Sequence, residues 1–229
     1  MDDASGLLRL LQLTDSGFPT GAFSFSHGLE GLVGSGSVAR EPDVAEVIAV
    51  HLREGFAGIE CPAMAHAWRA ARHRDLTALA ALDALVGAHK PIPVFRNGSI
   101  RTGRRLLESA AGVTAGPMLE DFRASIGAGI SGHHAVAFGV VMEASAVDEA
   151  TAALALGAGF AGGLAAAAVR LGIIGQGAAQ RILAEHHGLL ADCAARGRAT
   201  ALDDMGAFMP MTDVAGLRQS RLSGRVFAS

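Results

Sequence analysis

The residue types that could carry chemistry in this 229-residue chain are scattered rather than clustered. It has nine histidines: 27, 51, 66, 73, 89, 133, 134, 186 and 187. Metal ligands on one helix want a shared face, as at i and i+4. The adjacent pairs His133-His134 and His186-His187 diverge by about 100° on a helix, and His66 and His73 lie two turns apart. No His-Glu-x-x-His occurs, so these residues read as surface or capping histidines. Cys61 and Cys193 are too few for a disulfide scaffold or a four-ligand zinc site. Cys61 stands beside Pro62 at an expected helix start, where a thiol could be activated; nothing else supports it, and a small core residue is the simpler reading. No Gly-x-Ser-x-Gly nucleophile elbow is present.

Two stretches, GAGISG (127–132) and GAGFAG (157–162), match the glycine pattern of dinucleotide-binding loops. Neither follows a β-branched strand, and no acid stands about 20 residues after the second. Both read as close helix contacts through small residues. The single lysine, Lys90, sits between His89 and Pro91, so there is no Walker loop to cradle a nucleotide phosphate. The acid pairs Glu120-Asp121, Asp148-Glu149 and Asp203-Asp204 stand where helices begin, as the macrodipole favours.

Arginines 96, 101, 104 and 105 fall on one expected helix. They suit a phosphate, a carboxylate or an acidic partner, or else a solvated face. The tail is locally basic: Arg218, Arg221 and Arg225 alternate with Leu222, Val226 and Phe227, the make-up of an interface peptide with apolar anchors and a charged rim. Net charge is −3, which argues against a general nucleic-acid binder.

The elements that must position these groups are helical. Hydrophobic residues make up 50% of the chain and aromatics 5%; there are 30 glycines and no tyrosine. That Ala/Gly-rich composition favours closely packed helices and disfavours a sandwich or barrel. Periodicity and stop signals predict helices near 7–13, 26–34, 41–56, 60–73, 75–88, 93–112, 117–130, 132–145, 147–170 and 173–196. Glu41-Pro42-Asp43 is a helix start, with Pro in the first turn and acids near the N-terminus. Residues 150–169 carry no charge over a bilayer-spanning length. Their Ala, Gly and Thr content transfers poorly to lipid, so they read as a buried core helix. No charged and apolar leader opens the chain, and a cytoplasmic location is expected. The fold class is all-α: a single compact domain of about eight to ten helices over 1–206, with a C-terminal docking tail over 207–229. These residues hold no credible catalytic constellation, which leans towards a binding or assembly protein. A small helical enzyme and a membrane-associated helical protein are the alternatives.

Three stretches together resemble the UreF family of urease accessory proteins. The first is LLRLLQLTDSGFPTGAFSFSHGLEGLVGSGSV (7–38), through Pro19, Gly21, Phe23, Ser24, Ser26, Gly28, Leu29 and Glu30. The second is AVRLGIIGQGAAQRIL (168–183), through Arg170, Gly175, Gln176, Gln180 and Arg181. The third is the tail, through Phe208, Pro210, Asp213, Arg225, Phe227 and Ser229. The chain departs from the pattern at Phe25, Thr20-Gly21-Ala22, Arg218-Gln219, Val226 and Ala228. The resemblance implies an all-α, homodimeric scaffold without catalysis of its own. It implies binding to the accessory protein UreD (also called UreH) and to the GTPase UreG, acting on apo-urease so that nickel enters. No cofactor would be held permanently: GTP would sit on the partner, and nickel would be handled by the assembly. No nucleic acid and no membrane would be involved. Gly21, Phe23, Ser24, Ser26 and Glu30 would shape a loop offered to a partner. Arg170, Gln176 and Gln180 would pack between helices or meet a partner, and Arg225 and Phe227 would dock to UreD.

Overall fold

The computed structural model describes residues 3–219 and 226–227, and among these the fold is all-α. The helices are α1 (Asp3–Thr14), α2 (Leu29–Gly34), α3 (Glu41–Val50), α4 (Cys61–Arg72), α5 (Leu76–Ala88), α6 (Pro93–Ala110), α7 (Pro117–Ala124), α8 (His134–Ala144), α9 (Glu149–Arg170), α10 (Gln176–Glu185), α11 (His187–Ala199) and α12 (Pro210–Gln219). Helix α3 begins at Glu41-Pro42-Asp43, where the Asp43 carboxylate reaches back to the Ala39 and Arg40 amides at 3.0 and 2.9 Å. Asp75 and Asp148 cap α5 and α9 by accepting from Ala78 and Thr151.

Helix α1 starts four residues before the sequence reading, α2 starts three after it, and α12 was not expected; three further differences change how helices join. The expected helices 41–56 and 60–73 are one continuous rod, because a π-helical segment, His51–Glu60, joins α3 to α4. The expected helix 173–196 is two helices meeting at His186, whose Nδ1 lies 2.7 Å from the Ile182 carbonyl at the end of α10. The expected helix 117–130 stops at Ala124. Ser125 Oγ bonds back to the Asp121 carbonyl, and Gly127, Gly129 and Gly132 then take positive φ, so 125–133 is a loop held by an Ile126–Ile130 bridge.

At the centre lies α8, buried from Ala135 through Met142, as expected of a helix apolar on every side. Helices α4, α6 and α9 surround it. At Gly139 an added Cβ would fall 2.5 Å from the Met64 carbonyl, so only glycine lets α4 approach so closely. Phe56, Phe122, Ile48, Leu52 and Leu164 are among the largest fully buried side chains. Helix α9 is long and apolar enough to cross a membrane, but it packs on α3, α4, α8, α10 and α11, with half of its apolar window buried. Its first residue is clamped: Glu149 receives Arg69 through two bonds, at 2.7 and 2.6 Å, and Arg198 at 2.9 Å.

The C-terminal stretch lies against this body. Met205 is buried, Gly206 donates its amide to the Gly58 carbonyl in the π segment, and α12 lies along α2. The would-be Cβ of Gly31 falls 2.6 Å from the Ala215 carbonyl, so α2 and α12 touch backbone to backbone.

Candidate functional site

Two polar arrangements stand out from the core. The first joins residues far apart in sequence. Glu30, buried in α2, accepts the Val226 amide at 2.7 Å through Oε1 and the Phe227 amide at 3.4 Å through Oε2. The Phe227 ring is buried, with the Arg170 guanidinium 4.1 Å above its centre, a cation–π contact. Beneath them Ser26, fully buried, accepts the Glu30 amide at 3.4 Å and so holds the first turn of α2. Ser26, Glu30, Arg170 and Phe227 therefore form one clasp, which fixes Val226 and Phe227 against α2 and α9. Val226, its neighbour, is 61% exposed.

The other sequence candidates lie elsewhere. Gly21 takes the left-handed conformation at the start of a single 3-10 turn, Ala22–Ser24; Ser24 is exposed. Of Phe23 only the backbone is described, and Arg225 lies outside the described residues. Gln176 and Gln180 are exposed on α10, away from the clasp hydrogen bonds. Cys61 and Cys193 are buried, and burial pushes the Cys61 thiol up to about 12, the direction opposite to activation.

The second arrangement is a pair of cavities, of about 750 Å³ and about 330 Å³. His27, Glu60, Lys90, Phe95 and Phe160 line both and so form the wall between them. The larger opens beside the loop 14–22 and runs along the glycine-rich side of α9 at Gly159, Gly162 and Gly163. The wall is an ion pair, Lys90 Nζ to Glu60 Oε1, with the two side chains 13% and 16% exposed. Burial alone would raise the Glu60 carboxyl; the Lys90 charge and hydrogen bond outweigh it and hold the pKa below its ordinary value. His27, at φ 51, lies with its ring centre 4.7 Å from that of Phe160 and tilted 60° to it, and burial first, then the His51 charge, lowers its pKa to about 3. Burial also lowers His51 and His134. His51 places its two ring nitrogens 2.9 Å from the Val47 carbonyl and 3.2 Å from the His27 carbonyl.

This cluster eluded the sequence reading, since Glu60 and Lys90 stand thirty residues apart on different helices. Its only signal was a solitary lysine in an arginine-based chain. The carboxylate is neutralised by the ammonium, and the imidazoles are held neutral. Among the described residues no three His, Cys, Asp or Glu side chains are grouped to hold a metal ion.

The glycine motifs find physical explanations. In the 125–133 loop the amides of Ser131, Gly132 and His133 all donate to the carboxylate of Asp83, at 2.6, 3.1 and 2.7 Å. The anion in this cradle is the protein's own, which leaves no place for a phosphate. GAGFAG lies inside α9: Gly157 packs on Phe56 and Leu190, whereas Gly159 and Gly162 have open space beside them.

The sequence model of the UreF family matches residues 38–187. A protein from Trichodesmium erythraeum named "Urease accessory protein UreF" is 32% identical over 231 residues, covering 99% of this chain and 98% of its own length. Proteins of the same name from Arthrobacter sp. (strain FB24) and Granulibacter bethesdensis are 33% and 31% identical, covering 97% and 98% of this chain and 96% and 94% of their own.

Proposed function

The chain belongs to the UreF family of urease accessory proteins, helpers rather than enzymes, and from that premise we propose that it works as a cytoplasmic, homodimeric scaffold. In this reading it binds UreD and the GTPase UreG and promotes GTP-dependent entry of nickel into apo-urease. Nickel is handled by the assembly, and the nucleotide sits on the partner. A chain without a Walker loop must take its switch from another protein.

The clasp is the observation that carries this reading. Three stretches that mark the family meet at one point, and what they do there is hold the C-terminal segment in place. Upstream of the clasp, where α12 lies along α2, Phe208, 80% exposed, and Met211, 62% exposed, face outward. Large exposed apolar side chains beside charged ones are the make-up of an interface. In this proposal Phe227, Glu30, Arg170 and Ser26 serve the interface from beneath by fixing the tail. Arg225, the loop at Gly21, Phe23 and Ser24, and the exposed Gln176 and Gln180 meet partners directly.

The test is gel filtration with light scattering, on the chain alone and with its cognate UreD and UreG. The expected result is a mass of twice 23.3 kDa alone and a stable mixed complex with both partners. Arg225→Ala and Phe208→Ser should fold normally and weaken the UreD complex by about tenfold or more. Undiminished complex formation by both variants refutes the tail as the docking element; a chain that ignores both partners refutes the scaffold.

A further inference from the structure

Three arginines on the outer face of α6 are held in position yet left without a carboxylate. Arg101, Arg104 and Arg105 recur at three- and four-residue spacing and so share one stripe of the helix. All three are exposed. An uncharged group orders each of them. The Arg101 guanidinium lies 4.5 Å from the centre of the Phe25 ring. Arg104 donates from Nε to the Ser131 carbonyl at 2.8 Å. Arg105 packs its guanidinium against Gly21, 2.6 Å from where a Cβ would stand. Among the described residues none of the three forms an ion pair, whereas Arg40, Arg69, Arg181 and Arg198 each reach an acid. No acid occurs from Pro91 to Leu107; Glu108 closes the stripe.

Like charges at this spacing repel along a helix. Guanidiniums ordered in advance lose little freedom when a carboxylate arrives, and their forked donors match its two oxygens. The ridge is unfavourable alone and pre-organised for an anion. Pro19–Phe25, the loop alongside, carries no acid that would repel one.

We infer that Arg101, Arg104 and Arg105, with the loop beside them, form a docking surface for an acidic segment of another protein that presents two or three Asp or Glu carboxylates along one face. A protein segment fits better than a nucleic acid. The ridge rises only about 6 Å along its helix, a cationic track too short for a long polyanion. The inference stands on this geometry and does not depend on which proteins assemble around urease.

Fluorescence anisotropy with two labelled probes, a hexaglutamate peptide and a short single-stranded DNA, tests it at low and high salt. The peptide is expected to bind the wild-type chain and to be released by salt. Arg101→Glu with Arg105→Glu should weaken it by about tenfold or more, and Arg101→Lys with Arg105→Lys much less. Arg53→Glu with Arg74→Glu makes the same charge change away from α6 and its flanking loops and should leave binding intact. Arg104→Glu, whose residue bonds only a loop carbonyl, covers the case in which the double variant disturbs the loop. Equal weakening by the distant pair reduces the effect to net charge. Tighter binding of the DNA makes the ridge a nucleic-acid surface, and absence of peptide binding removes it. Each of these three results overturns the inference.

Discussion

At Asp83 a single carboxylate does what a run of glycines could not do alone. The loop 125–133 points three amides inward, and Asp83, buried on α5, accepts all of them. Asp83→Asn keeps the volume but turns an amide group towards amide donors. It should destabilise the fold by about 1–3 kcal/mol, read as a lower urea midpoint at neutral pH; an unchanged midpoint would mean that the carboxylate's charge adds nothing to the loop. The clasp makes a second prediction at this scale. Glu30→Gln should reduce hydrogen-exchange protection at the Val226 and Phe227 amides while leaving α8 protected, and equal protection in both proteins counts against the clasp. Sequence reading reached Glu30, Arg170 and Phe227 through motif resemblance, but not the hydrogen bonds that join them. It missed Glu60 with Lys90, and Asp83 with its loop, because such partners meet only after helices distant in sequence have packed.

Element by element, most helices were legible because their signals are local: capping acids at Asp75 and Asp148, proline at α6 and α7, a continuous apolar run in α8. Where the reading failed, tertiary contact decided. The π segment keeps His51–Glu60 helical across a stretch expected to break, and it places His51 and Glu60 on the cavity walls. Helix α9 makes the same lesson testable within one motif. Gly157 and Gly159 are both interior helix glycines, and propensity alone predicts that alanine stabilises at either site by about 0.5–1 kcal/mol. Packing separates them. A Cβ at Gly157 would press on Phe56 and Leu190, both buried, whereas at Gly159 it meets nothing within 4 Å. Gly157→Ala should therefore lower Tm, with an overpacking cost of about 1–3 kcal/mol, and Gly159→Ala should raise it. Thermal unfolding of the two variants beside the parent decides the matter; shifts of the same sign would overturn this account of α9.

For the whole molecule, four histidines, two of them buried and two half-buried, link the fold to pH. His27, His51, His133 and His134 all lie below the ordinary imidazole value of 6.5, with burial the leading cause, and His27 falls to about 3. Around neutral pH both folded and unfolded chains leave them uncharged, so they oppose nothing. As pH falls through 6.5 the unfolded chain takes up protons that the folded chain refuses. Stability must then drop with each step of acidification until the folded values are reached. The slope is at most about 1.4 kcal/mol per pH unit for each imidazole that stays neutral. Carboxylates whose folded values are lowered, such as Glu60 and Glu149, also cost stability on acidification, but only below their unfolded values of 4.5. The upper part of the interval between 6.5 and 4.5 therefore isolates the histidines. Tm should fall steadily across it. His27→Asn should flatten the fall by one proton's share, since asparagine tolerates the left-handed backbone that His27 adopts. A Tm that is level across that interval would mean that these imidazoles accept protons in the fold, and the wall between the two cavities would then be charged rather than neutral.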